Sequence, residues 1–325
     1  MKQTFAALTA AAGMSLALMA SQTLAQTFPA QPVRIISPFP AGSGPDAVAR
    51  IVGEKLAASL KQPIVIDPRP GANGFLAANA VKAAAPTGYD LFLADVGHLT
   101  INPSLFKKLP YDAKADFVPV SGVYRASFFI AVGANSPIRN VKDLMAAAAV
   151  PGRVTYGSNS IGSPLHLGAA QIEAVTNTKM VHVPYKEISQ LYAAVSTGEV
   201  DWALGSIASA GPLLRAGKLR FIAIADTARS AVLPDVPTFE QAGGPRPVSA
   251  TSWVCLVAPK GTPASVIATL NRGVSDAIRQ PDVVEKLAGF GFTPWGITPA
   301  ELARTIDTDT VANAALVKRT GASVE

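Results

Sequence analysis

Two stretches of small residues, Phe39-Pro40-Ala41-Gly42-Ser43-Gly44-Pro45-Asp46 and Gly157-Ser158-Asn159-Ser160-Ile161-Gly162-Ser163, each follow an apolar strand-like run and each open an amphipathic helix. Strand, turn and helix in that order build a parallel sheet covered by helices, which constrains the chain to an α/β fold. The turns also carry chemistry. The first turn of a helix leaves four backbone N–H groups without intrahelical partners, and glycine lets a ligand approach that backbone closely. A carboxylate or phosphate supplies the missing acceptors, so the two turns read as the two lips of an anion site.

The pattern continues along the chain. After Val33-Arg34-Ile35-Ile36, the apolar residues Val48, Ile51, Val52, Leu56 and Leu60 recur at helical spacing. Ile64-Val65-Ile66 reads as a buried strand, residues 70–74 as a turn, 75–84 as a helix and Leu91-Phe92-Leu93-Ala94 as a third strand. A second series starts at Phe128-Phe129-Ile130-Ala131-Val132. It alternates strands at 154–156, 181–183, 200–204 and 219–224 with helices at 141–150, 163–175, 188–197 and 213–216. Gly198 and Gly217 stand where helices should stop, as left-handed caps. A strand at 253–257 and helices at 264–278, 281–288 and 299–317 remain, and there the chain is expected to rejoin the first unit. Open α/β sheets bind ligands outside the carboxyl ends of their strands, the place each small-residue turn occupies, so the site should lie between the two units.

The ends and the composition bound the class. Lys2 precedes an uncharged run from Phe5 to Ala20, and Thr23-Leu24-Ala25 offers the small residues a signal peptidase reads, so residues 1–25 are expected to be a secretory signal peptide. The run is shorter than the roughly 18–20 residues that span a bilayer. The remaining length suits two domains. The net charge of +6 is scattered, with no basic run carrying interleaved aromatics, which weakly favours small anions and leaves no nucleic-acid footprint. The single cysteine, Cys255, sits in an apolar run, so no intramolecular disulfide forms and the thiol reads as buried and inert.

Candidate site residues follow from the turns. Asp46 comes just after Gly44 and Pro45 at a helix start, where the dipole favours an acid by about 0.3–1 kcal/mol; a role in orienting waters or the turn itself is equally open. Ser158, Asn159, Ser160 and Ser163 bring several donors within six positions. Ser163-Pro164 reads as an N-cap followed by proline, and capping explains only one of the four. His166 lies one turn further, facing either cleft or core. His98, in Asp95-Val96-Gly97-His98, is placed at the same end of the sheet as the first turn, and His182, between Val181 and Val183, reads as structural.

Catalytic patterns are missing. The segment around Ser160 fails G-x-S-x-G because Ser158 holds the first glycine position. His98, His166 and His182 lack zinc-ligand spacing, and Gly42-Ser43-Gly44 lacks the rest of a dinucleotide fingerprint. No cofactor, metal or catalytic residue is therefore expected.

Several segments together resemble one family: Pro38-Phe39-Pro40-Ala41-Gly42, Arg69-Pro70-Gly71-Ala72, Ile101-Asn102-Pro103-Ser104-Leu105-Phe106-Lys107-Lys108-Leu109-Pro110-Tyr111-Asp112, Tyr156-Gly157-Ser158, Val181-His182-Val183-Pro184-Tyr185-Lys186 and Leu233-Pro234-Asp235-Val236-Pro237-Thr238. They are similar to the Bug-type periplasmic solute receptors of tripartite tricarboxylate transporters. The resemblance implies a type II periplasmic binding-protein fold, two α/β lobes closing on a ligand cleft, with residues 26–124 and 251–325 as lobe I and 125–250 as lobe II. It implies a small organic acid as ligand and matches Phe39, Pro40, Ala41, Gly42, Ser43 and Asp46 to the first-lobe loop. Gly97 and His98 match its second loop, and Ser158, Asn159, Ser160, Gly162, Ser163 and His166 match the second-lobe loop.

Three departures stand out. Ser43 replaces a common second glycine, Val96-Gly97-His98-Leu99 differs from the usual Gly-Thr-His order, and Gly205 stands where many members have an aspartate. A missing acid at 205 argues for a ligand without an amine: a dicarboxylate, a tricarboxylate or an aromatic acid. The resulting expectation is a monomeric periplasmic receptor that presents its ligand to a membrane transporter. The competing readings are a secreted hydrolase using a serine of 158–163 with His166, and a sensor reporting to a membrane kinase.

Overall fold

The computed structural model describes residues 28–324, so the expected signal peptide, residues 1–25, lies outside the described residues. In chain order the first half comprises β1 (Val33–Ser37), α1 (Gly44–Leu60), β2 (Ile64–Pro68), α2 (Phe75–Lys82), β3 (Asp90–Asp95), a π-helical turn (Gly97–Ile101), α3 (Asn102–Leu105) and β4 (Phe117–Ser127). Then follow β5 (Phe129–Gly133), α4 (Val141–Ala148), β6 (Thr155–Ser158), α5 (Pro164–Thr176), β7 (Val181–Pro184), α6 (Ile188–Thr197), β8 (Trp202–Gly205), α7 (Ile207–Arg215) and β9 (Leu219–Ile224). The chain ends with β10 (Thr251–Pro259), α8 (Ala264–Ala277), α9 (Pro281–Gly289), β11 (Phe292–Pro294) and α10 (Pro299–Thr320).

These elements form two α/β lobes. The first is built on a six-stranded sheet in the order β11-β4-β10-β3-β1-β2, the second on a five-stranded sheet in the order β7-β6-β8-β5-β9. Within the first, β1, β2 and β3 are parallel, as strand–helix–strand order demands, while β10 runs antiparallel to β3 and β4. The second pairs parallel β6, β7 and β8 with an antiparallel β5. Both sheets are thus mixed rather than purely parallel, because strands that cross between lobes enter against the βα units. Apolar faces close on each sheet: Leu56, Leu91, Leu256 and Leu270 on one side of the first, Phe92, Trp253 and Cys255 on the other, and Trp202, Tyr192 and Leu191 in the second lobe.

Several local expectations change. β2 is a sheet edge with half-exposed residues and Val65 outward, rather than a buried strand. β4 escaped the sequence reading altogether. Its run Pro119-Val120-Ser121-Gly122 interrupts any apolar period, and the register against β10 shifts there. Gly122 is required at that point, since a Cβ would stand 2.2 Å from the Trp295 carbonyl. α7 begins at Ile207 rather than Leu213, and it carries Pro212 within it. Gly198 and Gly217 do adopt left-handed backbone at helix ends.

The chain crosses between sheets from Ser127 to Phe129 and again from Ala250 to Thr251. The crossings are laced together: the Ala225 amide donates to Phe128 O at 2.7 Å, the Ala250 amide to Ala225 O at 2.8 Å, and Ser127 Oγ to Asp226 at 2.6 Å. α10 then runs back across the molecule and packs against α5 of the second lobe. Asp309 on α10 accepts Trp253 Nε1–H at 2.7 Å, fixing that helix to the first sheet. A small apolar cluster, Ile101, Leu105, Leu167 and Val317, joins the lobes.

Candidate functional site

A cavity of about 400 Å³ opens between the lobes at the carboxyl ends of β1, β3 and β6. That size suits a small-molecule site. From the first lobe it is lined by Pro38, Phe39, the turn at 71–74, Asp95, Gly97, His98, Asn102 and Leu105, and from the second by residues 159–164. A larger hollow of about 820 Å³ lies wholly on first-lobe elements, between α8 and the start of α10, away from the interlobe gap.

The second-lobe lip is the loop from Ser158 to Ser163. Ser163 caps α5 by accepting the His166 amide at 3.3 Å, and Pro164 takes the first helical position, as its sequence foretold. The Ser163 amide turns back to Ser160 O at 3.3 Å, and Ser158 Oγ donates to the same carbonyl at 2.8 Å. Gly162 has φ +75°, and its amide donates to His166 Nδ1 at 2.9 Å. The amides of Asn159, Ser160 and Ile161 make no hydrogen bond to other described residues. They are the loop's available donors, beside the half-dipole of α5.

The first-lobe lip differs from expectation. At the start of α1 several amides are engaged within the chain: Asp46 accepts the Gly42 amide at 2.8 Å and binds Arg50 at 2.9 Å, Ser43 caps Asp46 at 3.4 Å, and the Ser43 amide turns back to Pro40 O at 3.1 Å, while the amides of Ala41 and Gly44 make no hydrogen bond to other described residues. Burial works to raise the Asp46 carboxyl, and the Arg50 and Gly42 bonds overcome it, leaving it below its ordinary value. Asp46 is therefore a cap and ion-pair residue. Pro40, Ala41, Gly42 and Ser43 do not line the cavity; Phe39 does.

Residues 71–74 take the place assigned to that loop. Gly71, Ala72, Asn73 and Gly74 all have positive φ, at 109°, 45°, 48° and 83°. The left-handed region costs a non-glycine residue about 1–2 kcal/mol, so Ala72 and Asn73 are held there by their surroundings. Asn102 Nδ2 donates to Asn73 O at 3.4 Å and to Tyr111 Oη at 3.0 Å, and Tyr111 in turn donates to His98 O at 2.6 Å. Gly74 admits the imidazole: a Cβ there would stand 2.2 Å from His98 Nε2.

His98 is ordered by Asp95. Its Nδ1 lies 2.5 Å from Asp95 Oδ1 and 3.2 Å from the Asp95 amide. The shorter contact requires a proton on Nδ1, so the amide cannot also donate there. The His98 amide donates to the same carboxylate at 3.0 Å. Burial pushes the Asp95 carboxyl up, but the His98 charge and the donated N–H groups hold it below its ordinary range. Phe39 and Phe92 meet the ring edge-on.

Of the residues singled out in the sequence, the cavity gathers Phe39, Gly97, His98, Asn159, Ser160, Gly162 and Ser163. Ser158 and His166 stand behind the loop and support it. Gly205 is elsewhere, packed under Tyr192; a Cβ would come 2.8 Å from its hydroxyl, which donates to Leu204 O at 3.0 Å. Packing accounts for glycine at 205, and the missing acid says nothing of the ligand. Sequence reasoning overlooked Asp95, Asn102, Leu105 and the 71–74 turn as cavity residues. The last had a signal, since Gly71-Ala72-Asn73-Gly74 also follows a strand and opens a helix.

Ser160 has no hydrogen bond to His166, whose Nδ1 is taken by Gly162. Among the described residues, no three His, Cys, Asp or Glu side chains could hold a metal together, and no helix is long and apolar enough to cross a membrane.

Two α/β lobes joined by paired crossings, with a small polar cavity between them, define a solute-binding protein of the type II periplasmic class. The chain belongs to the tripartite tricarboxylate transporter family receptors, whose pattern matches residues 48–322. It is 32% identical to Protein BugT of Bordetella pertussis over 94% of each chain. The fold is similar to a solved R. palustris protein with adipate (TM-score 0.82, 28% identity, 91% of this chain and 99% of that one). It is also similar to MatC from Rhodopseudomonas palustris with bound malate (TM-score 0.77, 30% identity, 89% of this chain and 100% of that one).

Proposed function

We propose that this receptor works in the periplasm, captures a small aliphatic dicarboxylate between its lobes without chemical change, and hands it to the membrane subunits of a tripartite tricarboxylate-type transporter. The carrying observation is the interlobe cavity with three unpaired amides, Asn159, Ser160 and Ile161, on one wall and the His98–Asp95 pair with the left-handed turn at 71–74 on the other. Adipate and malate in two similar structures support the ligand class. Charge-assisted amide bonds contribute about 1.5–3 kcal/mol each, enough for capture without a lining Arg or Lys. The paired crossings at 127–129 and 250–251 support a two-lobe division near the expected one, with the first boundary after Ser127 rather than after residue 124, because Arg125, Ala126 and Ser127 pair with β10 in the first sheet.

A ligand touching both lobes favours the closed arrangement by its extra affinity for it, which lets a transporter tell loaded from empty receptor. Thermal shift and calorimetry of the chain from Gln26 against adipate, malate and citrate test the reading. A bound acid at a hundred times its Kd adds about 2.7 kcal/mol of stability. No shift with any carboxylate at millimolar concentration would overturn it.

A further inference from the structure

Behind the loop at 158–163, on the side away from the cavity, two histidines remain outside the site described above. His166 and His182 stack with 3.9 Å between centroids and 11° between planes, and Tyr156 stacks on His182 at 5.1 Å. Each ring holds one bond to the loop: His166 Nδ1 accepts the Gly162 amide at 2.9 Å, and His182 Nε2 lies 2.7 Å from Ser158 Oγ. The direction of the second bond follows from the protons available. Ser158 has one hydroxyl hydrogen and gives it to Ser160 O, so His182 Nε2–H is the donor. The pair therefore pins both ends of the turn, and the three unpaired amides lie between the pinned points.

We propose that the stacked His166–His182 pair is the positioning device of the ligand loop, acting on the ligand only through the Gly162 amide and the Ser158 hydroxyl, and only while His166 Nδ1 is free to accept. This rests on the reading of that loop as carboxylate-binding. A proton on His166 Nδ1 converts the acceptor into a donor facing an N–H, and a second charge on stacked rings adds repulsion. The groups facing the pair are Tyr156 from β6, Glu173 from α5, Lys179 just before β7 and Arg319 from α10, which line a cavity of about 340 Å³. Glu173 is occupied by the Met180 amide at 2.6 Å. Burial lowers both imidazoles to about 4, with the neighbouring His166 charge a further cause for His182, so the pair is neutral at pH 7 and fails only in acid.

The test compares His166→Asn, whose amide oxygen can accept near the Nδ1 position but cannot titrate, with His166→Leu, which has no acceptor. Adipate and malate are titrated calorimetrically between pH 7 and pH 3.5. At pH 7 the leucine variant should bind about tenfold or more weakly, and the asparagine variant within about threefold of the natural chain. In acid the natural chain should lose affinity relative to His166→Asn; the ligand's own titration is common to both and cancels in the ratio. His182→Gln and His182→Leu should rank the same way. Amide NMR of the ligand-free chain reads the Gly162 N–H directly, and its hydrogen-bonded shift should disappear in His166→Leu alone. Leucine variants that bind as well as the natural chain, or an asparagine variant with an unchanged acid profile, would overturn the positioning role. A natural chain that binds neither acid at any pH would instead strike at the receptor reading, and the Gly162 resonance would still decide this inference.

Discussion

Gly162→Ala places a wedge between the lobes. A Cβ at 162 would stand 2.3 Å from Leu105 Cδ2 and 2.5 Å from its Cδ1. Carbon atoms settle at about 3.5–4.0 Å, so the loop or Leu105 must retreat by about 1.2 Å. Leu105 has little room, being 5% exposed and packed with Ile101, Leu167 and Val317. Leu105 belongs to the first lobe and Gly162 to the second, so the collision exists only when the lobes meet, and each lobe folds without encountering it. Overpacking of this kind costs about 1–3 kcal/mol. Charged against closure, that is roughly a 5- to 150-fold loss of ligand affinity. Gly42→Ala is the control, because Gly42 has φ +79° with nothing within 4 Å of a Cβ, so it carries the backbone cost without the wedge. Calorimetry with adipate in a double-mutant cycle supplies the assay. Gly162→Ala should weaken binding at least fivefold more than Gly42→Ala, and in a Leu105→Ala background its effect should shrink to less than threefold. Equal losses in both backgrounds, or none in the single variant, would refute the reasoning.

Three further outcomes follow from the packing and the charges. Gly205→Ala should lower Tm by several degrees through its collision with the Tyr192 hydroxyl while leaving adipate affinity within about twofold; the reverse pattern would return Gly205 to the ligand. Asp309→Ala removes a charge-assisted bond to Trp253, worth about 1.5–3 kcal/mol, and thermal unfolding should come several degrees earlier; an unchanged Tm would mean the bond does not hold α10 in solution. On pH, His166 and His182 are held below the free imidazole value of 6.5, so the folded chain binds fewer protons there and stability should fall between pH 6.5 and about 4. Asp95 and Asp46, both held below 3.8, add losses at still lower pH as they protonate, and Asp95→Asn should shrink that second limb of a Tm–pH profile without abolishing it.

The sequence made the parallel βα units plain, because Val48, Val52 and Leu56 share one helical face and apolar residues dominate β1 and β3. It hid β4, whose proline, serine and glycine belong to a strand bent by register shifts and crossed by Trp295. At the site, the second-lobe loop was legible from its donors and its Ser-Pro cap. At the first-lobe lip, Asp46 supplies the Gly42 amide, from within the chain, with an acceptor that a ligand was expected to bring, and of that stretch Phe39 lines the cavity. Which side of a helix a histidine faces depends on tertiary packing, so His98 at the cavity and His166 behind the loop could not be told apart from spacing alone.

The position of a bound carboxylate is the most direct test of the interlobe site. A structure of the receptor loaded with adipate should place one carboxylate within hydrogen-bond distance of the Asn159, Ser160 and Ile161 amides, with the chain reaching toward His98 and the turn at 71–74. Adipate bound outside the interlobe cavity, or inside it with those three amides left unpaired, would contradict the account.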